Sequence, residues 1–160
     1  MKRSQINYAI DKAHAIAETF RVCLPTFAFL TADAWRQQPL AEWSEVLDLQ
    51  LGWDITDFGR GDFSKTGLTL LTLRNGALNS AIYPKPYAEK MLQIQQEQET
   101  PWHFHTHKME DILNRGGGDL CMQLGWATEE ALFDEQRTVE VCVDRAAAFL
   151  CHRSSRSRLR

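Results

Sequence analysis

The stretch LTLLTLRNG, residues 68–76, marks a change in the character of the sequence. Apolar and polar residues alternate along it, and it ends in an Asn-Gly pair, which is the pattern of a β-strand that runs into a turn. Three later stretches share this pattern and are also bounded by turn-forming residues. They are AEKMLQIQQ (88–96), DLCMQLGWA (119–127) and TVEVCVD (138–144). The second half of the chain is therefore predicted to be a succession of strands.

The sequence before residue 68 predicts helices followed by a loop. Ser4 can cap a helix in which apolar or small residues recur at steps of three and four as far as about Arg21. Thr31 and Pro39 precede two shorter helical patterns, and the second is expected to begin near its proline. Residues 52–67 hold four glycines among several Asp, Ser and Thr residues, so they are predicted to form a structured loop.

This order of elements predicts a mainly β fold. A helical first third followed by successive strands is typical of an antiparallel sheet or barrel with helices on its flank, not of repeated βαβ units. We expect residues 1–50 to form an N-terminal helical segment packed on the barrel, and residues 51–144 to form a partial β domain. Residues 145–160 carry five arginines and no acidic residue, and we expect them to form a basic, irregular tail.

The bulk properties of the chain limit its partners and its compartment. With 160 residues, 44% of them hydrophobic, it is large enough for one compact unit with a core. A net charge of -3 gives no overall attraction to nucleic acid or to an anionic membrane. The four cysteines form no CxxC pair, and neither a secretory signal nor a membrane-spanning apolar run is visible. We therefore expect a cytoplasmic protein without a nucleic-acid or membrane partner.

The segment PWHFHTHKMEDILNRGGG, residues 101–118, concentrates side chains that can bind a metal. If it begins as a strand, His103 and His105 point to the same face with their alpha carbons roughly 6.6 Å apart, so that two imidazoles can share one ion. Glu110 follows His105 by five residues, and an unbroken strand would turn its carboxylate to the other face. A bend or bulge near Lys108 is therefore required if Glu110 is to join the two histidines.

Two other interpretations of this segment stay open. In a helix, His103, His107 and Glu110 would share one face, although the glycine triplet at 116–118 would soon end such a helix. Alternatively, some of the histidines are ordinary exposed or core residues, and His107 is the first candidate for a role outside the ligand set. Mixed imidazole and carboxylate ligands without a thiolate suit Mn²⁺, Fe²⁺, Zn²⁺, Co²⁺ or Ni²⁺ in an open, catalytic type of site. Lys108 could move protons beside such an ion.

The spacing HxH, four residues, E, six residues, G resembles the first metal motif of the cupin superfamily. The residues of this motif are His103, His105, Glu110 and Gly117. Four longer stretches add to it: LGWDITDFG (51–59), LTLRNG (71–76), YAEKM (87–91) and TPWHFHTHKMEDILNRGGGDL (100–120). These stretches are similar to the D-lyxose isomerase family, and this resemblance covers about residues 1–144.

The resemblance implies a fold, an activity and a set of site residues. The fold would be an incomplete, cupin-like antiparallel β-barrel with the N-terminal helical segment. The activity would be that of a metal-dependent aldose-ketose isomerase that interconverts D-lyxose and D-xylulose, and also D-mannose and D-fructose, by proton transfer through an enediol held at the metal. Mn²⁺, or another divalent ion such as Co²⁺, would be held by His103, His105 and Glu110. Lys108 and Glu110 would be catalytic, Lys90 and Lys108 would contact the sugar, and the protein would be a homodimer.

The sequence after Asp144 departs from the pattern of the family. Family members are expected to continue with further strands and a second motif, which supplies a fourth ligand histidine and another acidic catalytic residue. This chain instead reads RAAAFLCHRSSRSRLR, which resembles a truncated or frame-shifted end, and the setting of His152 matches nothing in the second motif. The alternative function is therefore that of a catalytically impaired cupin fragment or a non-catalytic module that binds metal or sugar.

Overall fold

The computed structural model describes residues 1–105, 108–130, 132–134, 136–143, 146–150 and 157–159. The chain forms two compact units, Met1–Pro101 and Trp102–Arg160. The first unit contains the helices α1 (Arg3–Thr19), α2 (Ala32–Arg36) and α3 (Ser44–Asp48) and the strands β1 (Gly52–Thr56), β2 (Leu68–Arg74) and β3 (Glu89–Gln93). The described strands of the second unit are β4 (Leu120–Met122), β5 (Trp126–Ala127), β6 (Phe133–Asp134), β7 (Val139–Val143), β8 (Ala146–Leu150) and β9 (Ser157–Leu159).

The three helices confirm the helical character predicted for the first fifty residues. α1 begins at Arg3, after Lys2, whose backbone N–H donates to the side chain of Gln5 at 2.8 Å, so the prediction that Ser4 caps this helix was wrong. Thr31 does cap α2, because its side chain accepts a hydrogen bond from the backbone N–H of Ala34. The segment after Pro39 forms a 3₁₀ turn, Leu40–Trp43, before it continues as α3.

A three-stranded antiparallel sheet in the order β1-β2-β3 forms the centre of the first unit. β2 lies in the middle, where Leu71 pairs with Trp53 on one side and Met91 on the other and is completely buried. β1 occupies the first five residues of the segment 52–67, for which a loop was predicted, so this part of the prediction was wrong. The reason is that the glycines and polar residues of the segment lie mostly after Thr56, while the first five residues pair one by one with β2.

Helix α1 packs on this sheet through small side chains and specific polar contacts. Ala9, Ala13 and Ala17, at steps of four, are buried on one face of the helix. The side-chain amide of Gln93 in β3 donates to the backbone carbonyl of Ala13 at 3.0 Å, and the ring of His14 lies 5.4 Å from that of Trp53 in β1. Short side chains on the helix therefore allow its backbone to approach the sheet closely.

The second unit is built from two-stranded antiparallel pairs. β4 pairs with β9, β5 with β6, and β7 with β8. Over the described ranges these sheets do not close into a barrel. Antiparallel sheets with a helical N-terminus confirm the predicted mainly β class and are consistent with an incomplete cupin-like fold.

Two of these strands lie in the tail, residues 145–160, which was predicted to be irregular. β8 covers Ala146–Leu150 and β9 covers Ser157–Leu159, so the expectation of an irregular tail was wrong for these residues. The arginines dominate the composition of the tail, but Ala146–Leu150 contains no charged residue and pairs in register with β7, a VEVCV stretch in which only Glu140 is charged. His152 lies outside the described residues. No helix in the described part of the chain is long and apolar enough to cross a membrane.

Candidate metal centre

The segment that carries the predicted ligands is irregular where the structure describes it. Residues 102–105 and 108–115 belong to no helix or strand, so the strand predicted from residue 102 onward is not formed over 102–105. The glycine triplet that follows has positive φ angles of 125°, 96° and 155°. Asn114 lies at the start of this turn: its side-chain oxygen accepts from the backbone N–H of Gly116, and its side-chain amide donates to the carbonyl of Gly118. This turn ends the segment for the reason expected, since such φ angles favour glycine.

His103 and His105 lie side by side in this segment. Their ring centroids are 5.1 Å apart, and the ring planes are inclined by 77°. Residues two apart in an extended chain project to the same side, and this geometry does not need a paired strand. The two imidazoles therefore form an edge-to-face pair.

The carboxylate of Glu110 lies beside His105 of this pair. Its Oε2 lies 3.5 Å from Nε2 of His105, and its Oε1 accepts a hydrogen bond from Nζ of Lys108 in a close ion pair. An unbroken strand would turn Glu110 away from His105, and residues 108–110, where the spacing required a bend or bulge, belong to no strand. His107 lies outside the described residues.

The charge state of Glu110 follows from these contacts. The hydrogen bond from Lys108 lowers the pKa of the Glu110 carboxyl. Electrostatic interactions with Lys108 and the two histidines lower this pKa further. Partial burial acts in the opposite direction but is outweighed, because the side chain remains 37% exposed. Glu110 is therefore a carboxylate at neutral pH, which is the form that binds a cation.

The donor types of this cluster fit a divalent transition metal ion, because imidazole nitrogen and carboxylate oxygen are ligands that Mn²⁺, Co²⁺ and Zn²⁺ accept. The positions of the side chains fit a bound ion less well than their chemical types do. In the part of the chain that the structure describes, no group of three or more His, Cys, Asp or Glu side chains is placed to hold an ion together. The cluster therefore contains suitable donor types at close range, and Lys108 and His105 contact different oxygens of the Glu110 carboxylate.

Lys90, the remaining predicted site residue, lies in β3 of the first unit. It is exposed and stands opposite Thr72 of β2 in the register of the sheet. Its predicted contact with a sugar stays a prediction. The contact that sequence reasoning missed is the one between Lys108 and Glu110, although their spacing of two residues could have indicated it, since such residues share a side of an extended segment.

A mainly β chain with an imidazole and carboxylate cluster has the general character of a cupin-like protein. Residues 1–153 match the family model described as D-lyxose isomerase. The chain belongs to this family, as the sequence motifs predicted.

Two curated relatives are similar to the chain over most of its length. It is 46% identical over 142 residues to the D-lyxose/D-mannose isomerase of Escherichia coli O157:H7, a match that covers 88% of this chain and 63% of that protein. It is 45% identical over 140 residues to the D-lyxose/D-mannose isomerase of Serratia proteamaculans, covering 87% of this chain and 61% of that protein. The chain therefore spans less than two thirds of the length of either relative.

Proposed function

We propose that this chain acts as a metal-dependent aldose-ketose isomerase that interconverts D-lyxose and D-xylulose, and D-mannose and D-fructose as a second pair. The observation that carries this proposal is the 46% identity to a relative named D-lyxose/D-mannose isomerase. The contact between Glu110 and His105 supports it, because it joins two donors of different type in the segment that carries the metal motif.

We propose Mn²⁺ as the ion, with Co²⁺ as a second candidate, and His103, His105 and Glu110 as the residues that would hold it. The ion, when bound, would supply Lewis acidity toward the oxygens of the sugar that react. The two histidines would serve as neutral donors, and the carboxylate of Glu110 would balance part of the positive charge. The lowered pKa of Glu110 supports this role, because a protonated carboxyl would be a poor ligand.

The lysines would provide the polar contacts to the sugar. Lys108 Nζ is held at the edge of the cluster by Glu110 Oε1, and an ammonium group in this position can donate a hydrogen bond or a proton to a sugar oxygen. Glu110 would contribute to catalysis as well as to binding, since its carboxylate would help to hold the ion beside the reacting sugar. Lys90 would bind a hydroxyl group of the sugar through its exposed ammonium.

The proposal is tested by incubating the Mn²⁺-loaded chain with D-lyxose and measuring D-xylulose by chromatography. We expect ketose to form with the unchanged chain, and we expect Glu110→Gln to lose both ketose formation and ion affinity. The loss of affinity should be at least about tenfold, because even residues that only support a metal ligand cost 10- to 100-fold. Glu129→Gln is the matched control, since Glu129 is an exposed glutamate of the same unit.

A non-catalytic module that binds metal or sugar is the second candidate function. The observation that favours it is that no group of three or more His, Cys, Asp or Glu side chains in the described part of the chain is placed to hold a catalytic ion. Calorimetry separates the two functions: heat of D-lyxose binding without any ketose supports the module, whereas ketose that depends on Glu110 supports the enzyme. A chain that neither binds D-lyxose nor converts it would contradict both.

We also propose a cytoplasmic homodimer. Exposed free thiols at Cys23 and Cys121 support a reducing compartment. The dimer follows from the family resemblance, and light scattering on the purified chain tests it by giving the mass of the particle in solution.

A further inference from the structure

The two oxygens of the Glu110 carboxylate face different groups. Oε2 faces the imidazole of His105 at 3.5 Å, while Oε1 accepts the hydrogen bond of the Lys108 ammonium. A carboxylate in this position already has a positive charge in direct contact, and that charge belongs to the protein. Any further cation at Glu110 must share the carboxylate with this ammonium group.

A shared carboxylate is electrostatically unfavourable for two cations. A divalent ion and an ammonium group on the same carboxylate repel each other at a separation of a few ångströms, where screening by water and salt is incomplete. The repulsion falls when the ammonium group moves away. Binding of an ion at Glu110 and contact between Lys108 and Glu110 are therefore expected to oppose each other.

Lys108 is able to move away. Its side chain is 43% exposed, and it stands in a segment that belongs to no helix or strand. A lysine ammonium sits on a flexible four-carbon stem and is strongly hydrated, so water can replace the carboxylate as its partner at little cost. An ion pair of this exposure is worth only a small free energy, which a bound ion can outweigh.

From these contacts we propose that Lys108 is an internal counter-cation that competes with the divalent ion for Glu110, so that ion binding displaces the ammonium group from the carboxylate. This inference rests on the metal centre proposed above. Lys108 is accordingly a positioning residue for Glu110 in the absence of the ion, and the ion releases it for contact with the sugar.

The inference predicts that removal of the ammonium group tightens ion binding. We expect Lys108→Met to lower the dissociation constant for Mn²⁺ by about two- to fivefold, which corresponds to the usual worth of a partly exposed ion pair. Lys108→Arg keeps a positive charge that can pair with a carboxylate through two hydrogen bonds, so it should bind Mn²⁺ no more tightly than the unchanged chain. The measurement is calorimetric titration with Mn²⁺ alone.

A matched control separates direct contact from a general effect of charge. Arg115→Gln also removes one positive charge from an exposed residue of the same unit, five positions from Glu110. If contact with the carboxylate matters, Arg115→Gln should change the dissociation constant much less than Lys108→Met does. Lys108→Gln serves as a second neutral variant if Lys108→Met does not fold, and circular dichroism checks the fold of each.

The outcomes distinguish this inference from the proposed function. If the unchanged chain and all variants fail to bind Mn²⁺, the metal centre itself is refuted and the inference with it. If the unchanged chain binds Mn²⁺ and both neutral variants bind it equally well or more weakly, the centre stands and the competition is refuted. An equal gain in Lys108→Met and Arg115→Gln would also refute it, because charge alone would then explain the effect.

Discussion

Replacement of Leu71 by alanine tests whether the three-stranded sheet is the stable centre of the first unit. Leu71 is fully buried in the middle strand, β2, with 0% of its surface exposed. Leu→Ala removes three carbon groups, and at about 0.8 kcal/mol for each buried group the transfer cost alone is about 2.4 kcal/mol. The cavity left behind raises the expected loss in the free energy of unfolding to about 3 to 5 kcal/mol.

Leu92→Ala is the matched control, because the same atoms are removed from a side chain that is 53% exposed on the neighbouring strand, β3. About half of the transfer cost remains and little cavity forms, so the expected loss is about 1 kcal/mol. Leu71→Met nearly keeps the volume of the side chain and should lower the free energy of unfolding by less than about 1.5 kcal/mol. Urea unfolding followed by circular dichroism gives each free energy. Equal losses for Leu71→Ala and Leu92→Ala would refute the placement of the core at β2.

Two further predictions concern a glycine and a pH dependence. An added Cβ at Gly76 would lie 2.5 Å from the backbone carbonyl oxygen of Lys85 and 2.5 Å from the carbonyl carbon of Pro86. Gly76→Ala should therefore lower the free energy of unfolding by about 1 to 3 kcal/mol. An unchanged midpoint of thermal unfolding would contradict this close approach. The pKa of Glu110 is lowered in the folded chain, so its ion pair stabilises the fold at neutral pH, and this contribution is lost as the pH falls below about 4.3. Because both partners are more than a third exposed, the difference in stability between the unchanged chain and Glu110→Gln should be at most about 1 kcal/mol at pH 7 and should shrink in acid. If thermal unfolding curves show that the difference in stability between the unchanged chain and Glu110→Gln grows on acidification, the predicted direction of this pH dependence is wrong.

The fold was predictable where local signals and pairing agree. The alternating pattern of residues 68–74 and the capping residue Thr31 each predicted an element that is present. β1 was missed because its pairing with β2 is a contact between distant residues, and its glycine-rich surroundings favoured a loop. β8 was missed because a local block of arginines concealed five uncharged residues that a neighbouring strand could pair with. In both cases a partner elsewhere in the chain determines the conformation, and local composition does not carry that information.

The candidate site shows the same division between local spacing and contact. Spacing alone predicted that His103 and His105 would lie together and that Glu110 would need a bend to reach them, and the three side chains are neighbours in the structure. The spacing of two residues is compatible with the pairing of Lys108 with Glu110, but the orientation of two flexible side chains outside regular structure decides whether they meet. The pairing nevertheless changes the chemistry, because a carboxylate already neutralised by its own lysine binds a cation less strongly than a free one. The affinity of the proposed centre for Mn²⁺ is therefore expected to depend on Lys108 as well as on its ligands, and the comparison of Lys108→Met with Arg115→Gln measures that dependence directly.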